Sequence, residues 1–245
     1  MTTLTILVTG GSSASGIAAA RALGAAGHRV FTVGSEEIRI KAAAGEAGNG
    51  VTPLVCDLAD YGSVRDLAAD LHSRGVEGVD GVIHLVGGWR GAKGIVDQSD
   101  EDWDSLERGA LTTLRNVSRV FYNQLEASPH GRLAMVSSTT ASAPTAAAAS
   151  YAAAKAAAEA WTLAVADGFR RDQSGNPNSQ DATPAQHSAA VIFVVKALVD
   201  PAMRRAHPER RFPGYTDVEE LAAAAVGLFD EPAATLNGQR IVLAK

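Results

Sequence analysis

Residues 4–17 read Leu4-Thr5-Ile6-Leu7-Val8-Thr9-Gly10-Gly11-Ser12-Ser13-Ala14-Ser15-Gly16-Ile17, an apolar run that stops at a turn of glycines and serines before an alanine-rich stretch. An unbroken hydrophobic run of this length is how a strand buried on both faces reads. Similar runs recur at Val30–Val33, Gly81–Val86, Leu133–Val136 and Val191–Val195, and a last strand fits Gln239–Leu243. Helical spacing predicts helices over about 16–26, 36–47, 63–74, 102–126, 151–169 and 217–229, the last with Thr216 and Asp217 as cap candidates. Strands alternating with helices imply an α/β chain with a doubly wound parallel sheet of about seven strands and helices on both faces.

The 245 residues carry no abrupt change of composition and are expected to form one domain, with a polar, flexible excursion over about 170–188 that holds Gly175, Pro177 and Pro184. One cysteine, Cys56, excludes an internal disulfide and is expected to be a buried, inert thiol. The N-terminus lacks the basic flank of a secretory signal, and no apolar stretch approaches a bilayer span. The chain therefore reads as soluble and cytoplasmic. A net charge of −5 gives no global attraction to nucleic acid or anionic membrane, the local exception being Arg204, Arg205, Arg210 and Arg211. No metal site is expected. The alanine-rich helix from Ala146 to Ala166 would allow close packing against a second subunit, so a homodimer or homotetramer is expected.

A small-residue turn between the first strand and a helix is where an open α/β sheet binds a dinucleotide. The backbone must turn tightly and approach the pyrophosphate, and the helix then offers N–H groups and the positive end of its dipole. Gly10, Ser12, Ser13, Ser15, Gly16 and Ile17 are the candidates there. Further on, a strand ends at Leu133–Val136, followed by Ser137-Ser138, and Tyr151-Ala152-Ala153-Ala154-Lys155 opens a helix. Residues four apart share a helix face, so Tyr151 and Lys155 can point at one site that Ser138 reaches from the neighbouring strand.

Together these residues resemble the short-chain dehydrogenase/reductase family over about residues 4–243, with Gly10 and Gly16 matching its TGxxxGxG turn and Tyr151 and Lys155 its YxxxK. The resemblance implies a Rossmann-type fold, NAD or NADP as cofactor, a small-molecule substrate, and interconversion of a carbonyl and an alcohol. Ser138, Tyr151 and Lys155 would be the catalytic residues, Tyr151 acting as general acid or base with its pKa drawn down by the ammonium and by an oxidised nicotinamide ring. Lys155 would also hold the nicotinamide ribose, and Ser138 the substrate oxygen. Asp57 and Leu58 match the pair that contacts adenine, although Asp57 could equally cap the next turn. At the end of the second strand stand Gly34 and Ser35, where NAD-specific relatives carry Asp and NADP-specific ones often Arg. Glu36 or Glu37 could hold the ribose hydroxyls while Gly34-Ser35 leaves room for a 2′-phosphate, so cofactor choice stays open. Val86, Gly87, Gly88 and Val199 complete the expected cofactor contacts.

The chain also departs from the family pattern. Ala14 replaces the middle glycine, and its methyl is expected to narrow the cofactor pocket. The family's Asn-Asn-Ala-Gly becomes His84-Leu85-Val86-Gly87, with His84 read as a packed or hydrogen-bonded residue. Ala110 stands where relatives place a catalytic Asn, and Asn116 faces elsewhere. Lys196-Ala197 replaces Pro-Gly, opening a substrate lid over about 197–215 in which Met203 is a substrate contact. Gly87-Gly88-Trp89 and the missing Asn are similar to the dihydropteridine reductase branch, in which Trp89 would stack on a flat substrate, against the alternative of a loop Trp covering apolar surface. The arginine cluster reads as a solvated helix face or as an attraction for an anionic substrate. A non-catalytic, nucleotide-binding regulator or scaffold is the competing function.

Overall fold

The structure is a computed structural model describing residues 2–174 and 186–243. Seven parallel strands form one sheet in the order β3-β2-β1-β4-β5-β6-β9, namely β1 (Thr5–Thr9), β2 (Arg29–Gly34), β3 (Val51–Val55), β4 (Gly81–His84), β5 (Arg132–Ser138), β6 (Ala189–Val195) and β9 (Arg240–Val242). A separate pair, β7 (Leu198–Val199) and β8 (Thr216–Asp217), pinches the loop between them into a lobe beyond the carboxyl edge. The helices are α1 (Ala14–Ala25), α2 (Glu37–Ala47), α3 (Tyr61–Ser73), α4 (Asp100–Glu107), α5 (Thr113–Ala127), α6 (Ala149–Asp172), α7 (Pro201–Ala206), α8 (Val218–Gly227) and α9 (Ala233–Leu236).

Alternate residues of each strand point to opposite faces, so a strand covered on both sides must be apolar throughout. Leu7, Phe31, Val82 and Leu133 pack with Val64 of α3, Phe121 of α5 and Phe169 of α6. Their strand neighbours Ile6, Val8, Val30 and Ile83 pack on the other face with Leu23 of α1 and Leu221 of α8. Pro53 is tolerated because β3 is an edge strand. Arg132, buried at the start of β5, donates to the carbonyls of Gly131, His187, Leu228 and Glu231, and so fastens the C-terminal elements to the sheet, with no acid as partner among the described residues.

Several sequence expectations need correction. The helix predicted over 102–126 is present as a continuous helical run, but a π-helical stretch, Arg108–Thr112, that the spacing did not foresee divides it into α4 and α5. The strand expected to reach Val86 ends at His84, because Leu85 and Val86 leave the sheet to line a cleft. Helix α6 continues through Asp172, so the excursion cannot begin at 170; its core, 175–185, lies outside the described residues. Asp217 sits at the head of α8 without a side-chain capping bond, because its carboxylate is taken by Arg204. The arginine cluster is also no plain helix face: α7 ends at Ala206, and Arg204 and Arg210 both lie over the Phe212 ring.

Candidate active site

The strand order reverses between β1 and β4, and it is at such a switch point, beyond the carboxyl ends, that an open sheet leaves a crevice. Two connected hollows of about 340 and 330 Å³ lie there and share Ser13, Leu85, Val86 and Gly87. The first is lined by Gly10, Ser12, Ser13, Gly34, Ser35, Asp57, Leu58, Val86 and Gly87 among the sequence candidates. The second is lined by Ser13, Ser15, Gly88, Trp89, Tyr151 and Lys155.

The turn explains itself atom by atom. Gly10 has φ +74°, and a Cβ there would stand 2.8 Å from the Leu85 carbonyl carbon. At Gly16 a Cβ would fall 2.5 Å from the Gly10 carbonyl oxygen. Both positions accept only glycine. Ser13 caps α1 by accepting from the Gly16 N–H (3.0 Å) while its hydroxyl donates to the Gly10 carbonyl (2.8 Å). The expected narrowing by Ala14 does not occur: Ala14 begins α1 on its outer side, where it borders Asp200, Pro201 and Arg205 rather than the crevice.

At the other end Lys155 is buried, 6 % exposed, and its Nζ donates to the Val136 carbonyl (2.8 Å). Burial lowers its pKa to about 8, against a raising contribution from Glu159. Glu159 in turn accepts from Ser137 Oγ (2.5 Å) and from Arg240, tying α6 to β5 and β9. The Tyr151 phenol is pushed above its usual value by burial, and the Ser138 hydroxyl pulls it partly back. Ala110 contributes to that dry setting: it packs with Leu106 and Ala154 in the apolar cluster that Tyr151 joins. The sequence expectation of a phenol acidified by Lys155 is therefore not met in the free protein, where desolvation is the larger effect and the ammonium stands 6.0 Å from the ring centroid.

Ser138 is 1 % exposed and lies behind the crevice wall rather than on it. Its Oγ accepts from the Thr140 amide (3.2 Å) and the Thr140 hydroxyl (2.8 Å). A hydroxyl has two acceptor lone pairs and one proton, so Ser138 is left as a donor. Ile17 and Gly16 are set back in α1, Val199 is buried on β7, and Met203 is half-buried in α7; none of these four lines either hollow. Trp89 is 70 % exposed at the rim.

His84 is 2 % exposed, between Thr9 and Thr113. The Thr113 hydroxyl donates to the Gly109 carbonyl (2.7 Å), so it accepts from His84 Nε2–H (3.1 Å), and Nδ1 then accepts from the Thr9 hydroxyl (2.8 Å). The imidazole is thus a neutral structural link from β1 to the start of α5, its pKa lowered to about 3 by burial and by nearby Lys155. Asn116 donates to the Leu58 carbonyl (3.1 Å), which holds the loop after β3.

Two lining residues, Arg39 and Lys196, escaped the sequence reading, as did Arg108, which pairs with the lining residue Asp57. Arg39 faces the first hollow from α2; Glu36, beside it, caps that helix by accepting from the Ile38 and Arg39 amides, and Glu37 is paired with Lys41. Arg108, on the π turn, pairs with Asp57 (2.7 Å). Lys196 follows β6 and lines the second hollow; the rule that residues just past strand ends face the crevice would have found it.

A family model described as short chain dehydrogenase matches residues 4–173. The chain is similar to Nodulation protein G of Rhizobium sp. (strain N33), 27 % identical over 235 residues that span 96 % of this chain and 93 % of the relative. Among solved structures it resembles a short chain oxidoreductase from Pseudomonas aeruginosa PAO1, described as containing an atypical catalytic center, with TM-score 0.82 at 21 % identity over 98 % of this chain and 95 % of the other. An oxidoreductase from Burkholderia thailandensis gives TM-score 0.81 at 21 % identity, covering 99 % and 92 % of the two chains.

Proposed function

The chain belongs to the short-chain dehydrogenase family, and from that premise we propose that it is an NAD(P)-dependent oxidoreductase interconverting a carbonyl and an alcohol, with Tyr151 as general acid in the direction of reduction. The observation that carries the reading is that Tyr151 and Lys155 line one end of a crevice, with the Ser138 hydroxyl behind that wall in hydrogen-bond reach of the phenol, while the other end is a glycine and serine cradle. A nicotinamide dinucleotide fits that crevice, since Gly10 and Gly16 keep the turn free of side chains and Ala14 points away. When bound, the cofactor supplies or accepts the hydride.

The protein's own part is position and proton supply. A phenol kept protonated by burial can donate to the oxygen that gains charge during reduction. The Ser138 donor would stabilise the same oxygen. Lys155 would hold the nicotinamide ribose, and the lobe of 197–215 would act as a substrate lid that brings Met203 and Val199 toward the bound groups. Asp57 would contact adenine on rearranging its pair with Arg108.

At the adenosine end we read a preference for NADP(H). Gly34 and Ser35 leave space, and Arg39 supplies a cation, while the carboxylate of Glu36 is occupied by two backbone amides. A second reading, reduction of a quinonoid or flat heteroaromatic compound, is favoured by the exposed Trp89 indole on the same half of the crevice.

Replacing Tyr151→Phe removes the proton and little volume. Turnover across a panel of carbonyl and quinonoid substrates should fall by about 10²–10⁴-fold, while calorimetric titration gives the cofactor affinity of the parent. Undiminished turnover in that variant would refute the assignment.

A further inference from the structure

Lys196 stands where the chemistry of the proposed reaction would meet a substrate's substituents. It follows Val195, which pairs with Ser138 across the parallel β5–β6 register. Neighbouring strands lie about 4.8 Å apart, so the Lys196 backbone sits beside the chemical centre and its exposed side chain runs along the rim of the second hollow. Among the described residues, the side chains lining that hollow include two cations, Lys155 and Lys196, and no acid. Lys155 is buried beneath Tyr151 and engaged with Val136. Lys196 Nζ donates to the Pro213 carbonyl (3.0 Å) and, among the described residues, forms no ion pair.

The segment that follows Lys196 is rich in basic residues, of which Arg204 is paired with Asp217. From Lys196 to Tyr215 the chain has five basic residues, Lys196 and four arginines, against Asp200 and Glu209, in a protein whose net charge is −5. Asp200 is spent on capping α7 through the Met203 amide (2.7 Å). A cleft lined by one sign of charge concentrates ligands of the other. The same hollow is also lined by Trp89, whose indole is 70 % exposed and so leaves an aromatic surface open to a ligand.

We propose that Lys196 selects an anionic substrate, its ammonium taking a carboxylate carried by a planar carbonyl compound whose ring lies against Trp89. The inference rests on the oxidoreductase reading and adds the substrate class to it. The carboxylate replaces the neutral Pro213 carbonyl as acceptor, exchanging an ordinary hydrogen bond for a charge-assisted one.

The test uses two aldehydes of one shape, 4-carboxybenzaldehyde and 4-carbamoylbenzaldehyde, reduced by the full chain with NADPH. The parent should favour the carboxylate by about tenfold in kcat/KM, through KM, as charge-assisted bonding predicts. Raising the ionic strength to about 0.5 M should erode the preference. Lys196→Gln should bring the ratio near one, and Lys196→Arg should keep most of it. A parent without preference, or a Gln variant that retains it, overturns the proposal. So does a Gln variant whose loss appears in NADPH affinity, because Lys196 would then serve the pyrophosphate. Should neither aldehyde be reduced, the carbonyl reading fails for them, and tryptophan quenching by benzoate against benzamide still decides on Lys196. Tighter benzoate binding that Lys196→Gln abolishes supports the assignment, and equal binding of the two ligands overturns it.

Discussion

Burial forces a protonation state on His84. Both ring nitrogens are spoken for by threonine hydroxyls, and one of them must accept, so an imidazolium would lose the Thr9 bond and add a charge beside Lys155. Its pKa falls from 6.5 to about 3. Between those values the unfolded chain binds a proton that the native protein refuses, so the contribution of His84 to stability is complete above pH 6.5 and is lost as pH falls toward 3. From pH 7.5 to pH 5 that loss is about 2 kcal/mol. Urea unfolding of His84→Asn at the two pH values should show a correspondingly smaller drop than the parent, because an amide can bond both threonines without titrating. Equal drops would mean that His84 protonates freely in the folded state. Ser138 teaches a related lesson, since its role as donor follows only from counting the two bonds it already accepts.

At the scale of elements the β1–α1 turn and the α4–α5 rod contrast. The turn was legible, because Gly10 and Gly16 are demanded by backbone closeness that any residue with a Cβ would violate, and such demands leave a mark in residue type. Gly16→Ala should therefore abolish binding of NADH and NADPH in calorimetry and lower stability by about 1–3 kcal/mol, the range for overpacking. Retained affinity would show that the turn can relax without leaving the crevice. The direction of Ala14 was not legible, since helix phase decides it and one methyl carries no phase. The π turn left no mark either: it depends on Thr113 reaching both Gly109 and His84, a partner 29 residues away in the chain. The sheet was read well because burial on both faces writes continuous apolar runs, whereas Arg132 and the Glu159 network rest on long-range carbonyl and hydroxyl partners that no local pattern announces.

Over the whole molecule the crevice crosses the carboxyl edge from β3 to β6, so a ligand filling it would touch loops that follow five strands. A ligand that binds only the folded chain stabilises it by mass action, about 2.7 kcal/mol at a hundred times Kd. For a chain of this size that corresponds to a rise in Tm of roughly 5–10 °C. The two cofactors differ only at the adenosine ribose, and the hollow proposed to hold it is lined by Gly34, Ser35 and Arg39. NADPH should consequently raise Tm more than NADH at equal concentration, and 2′,5′-ADP, which reaches the first hollow alone, should raise it more than 5′-AMP. Arg39→Ala should close both gaps while leaving the NADH shift in place. A larger shift with NADH would reverse the assigned preference, and the absence of any shift with either cofactor would remove the nucleotide from the crevice and leave the cradle of Gly10 and Gly16 as a structural turn.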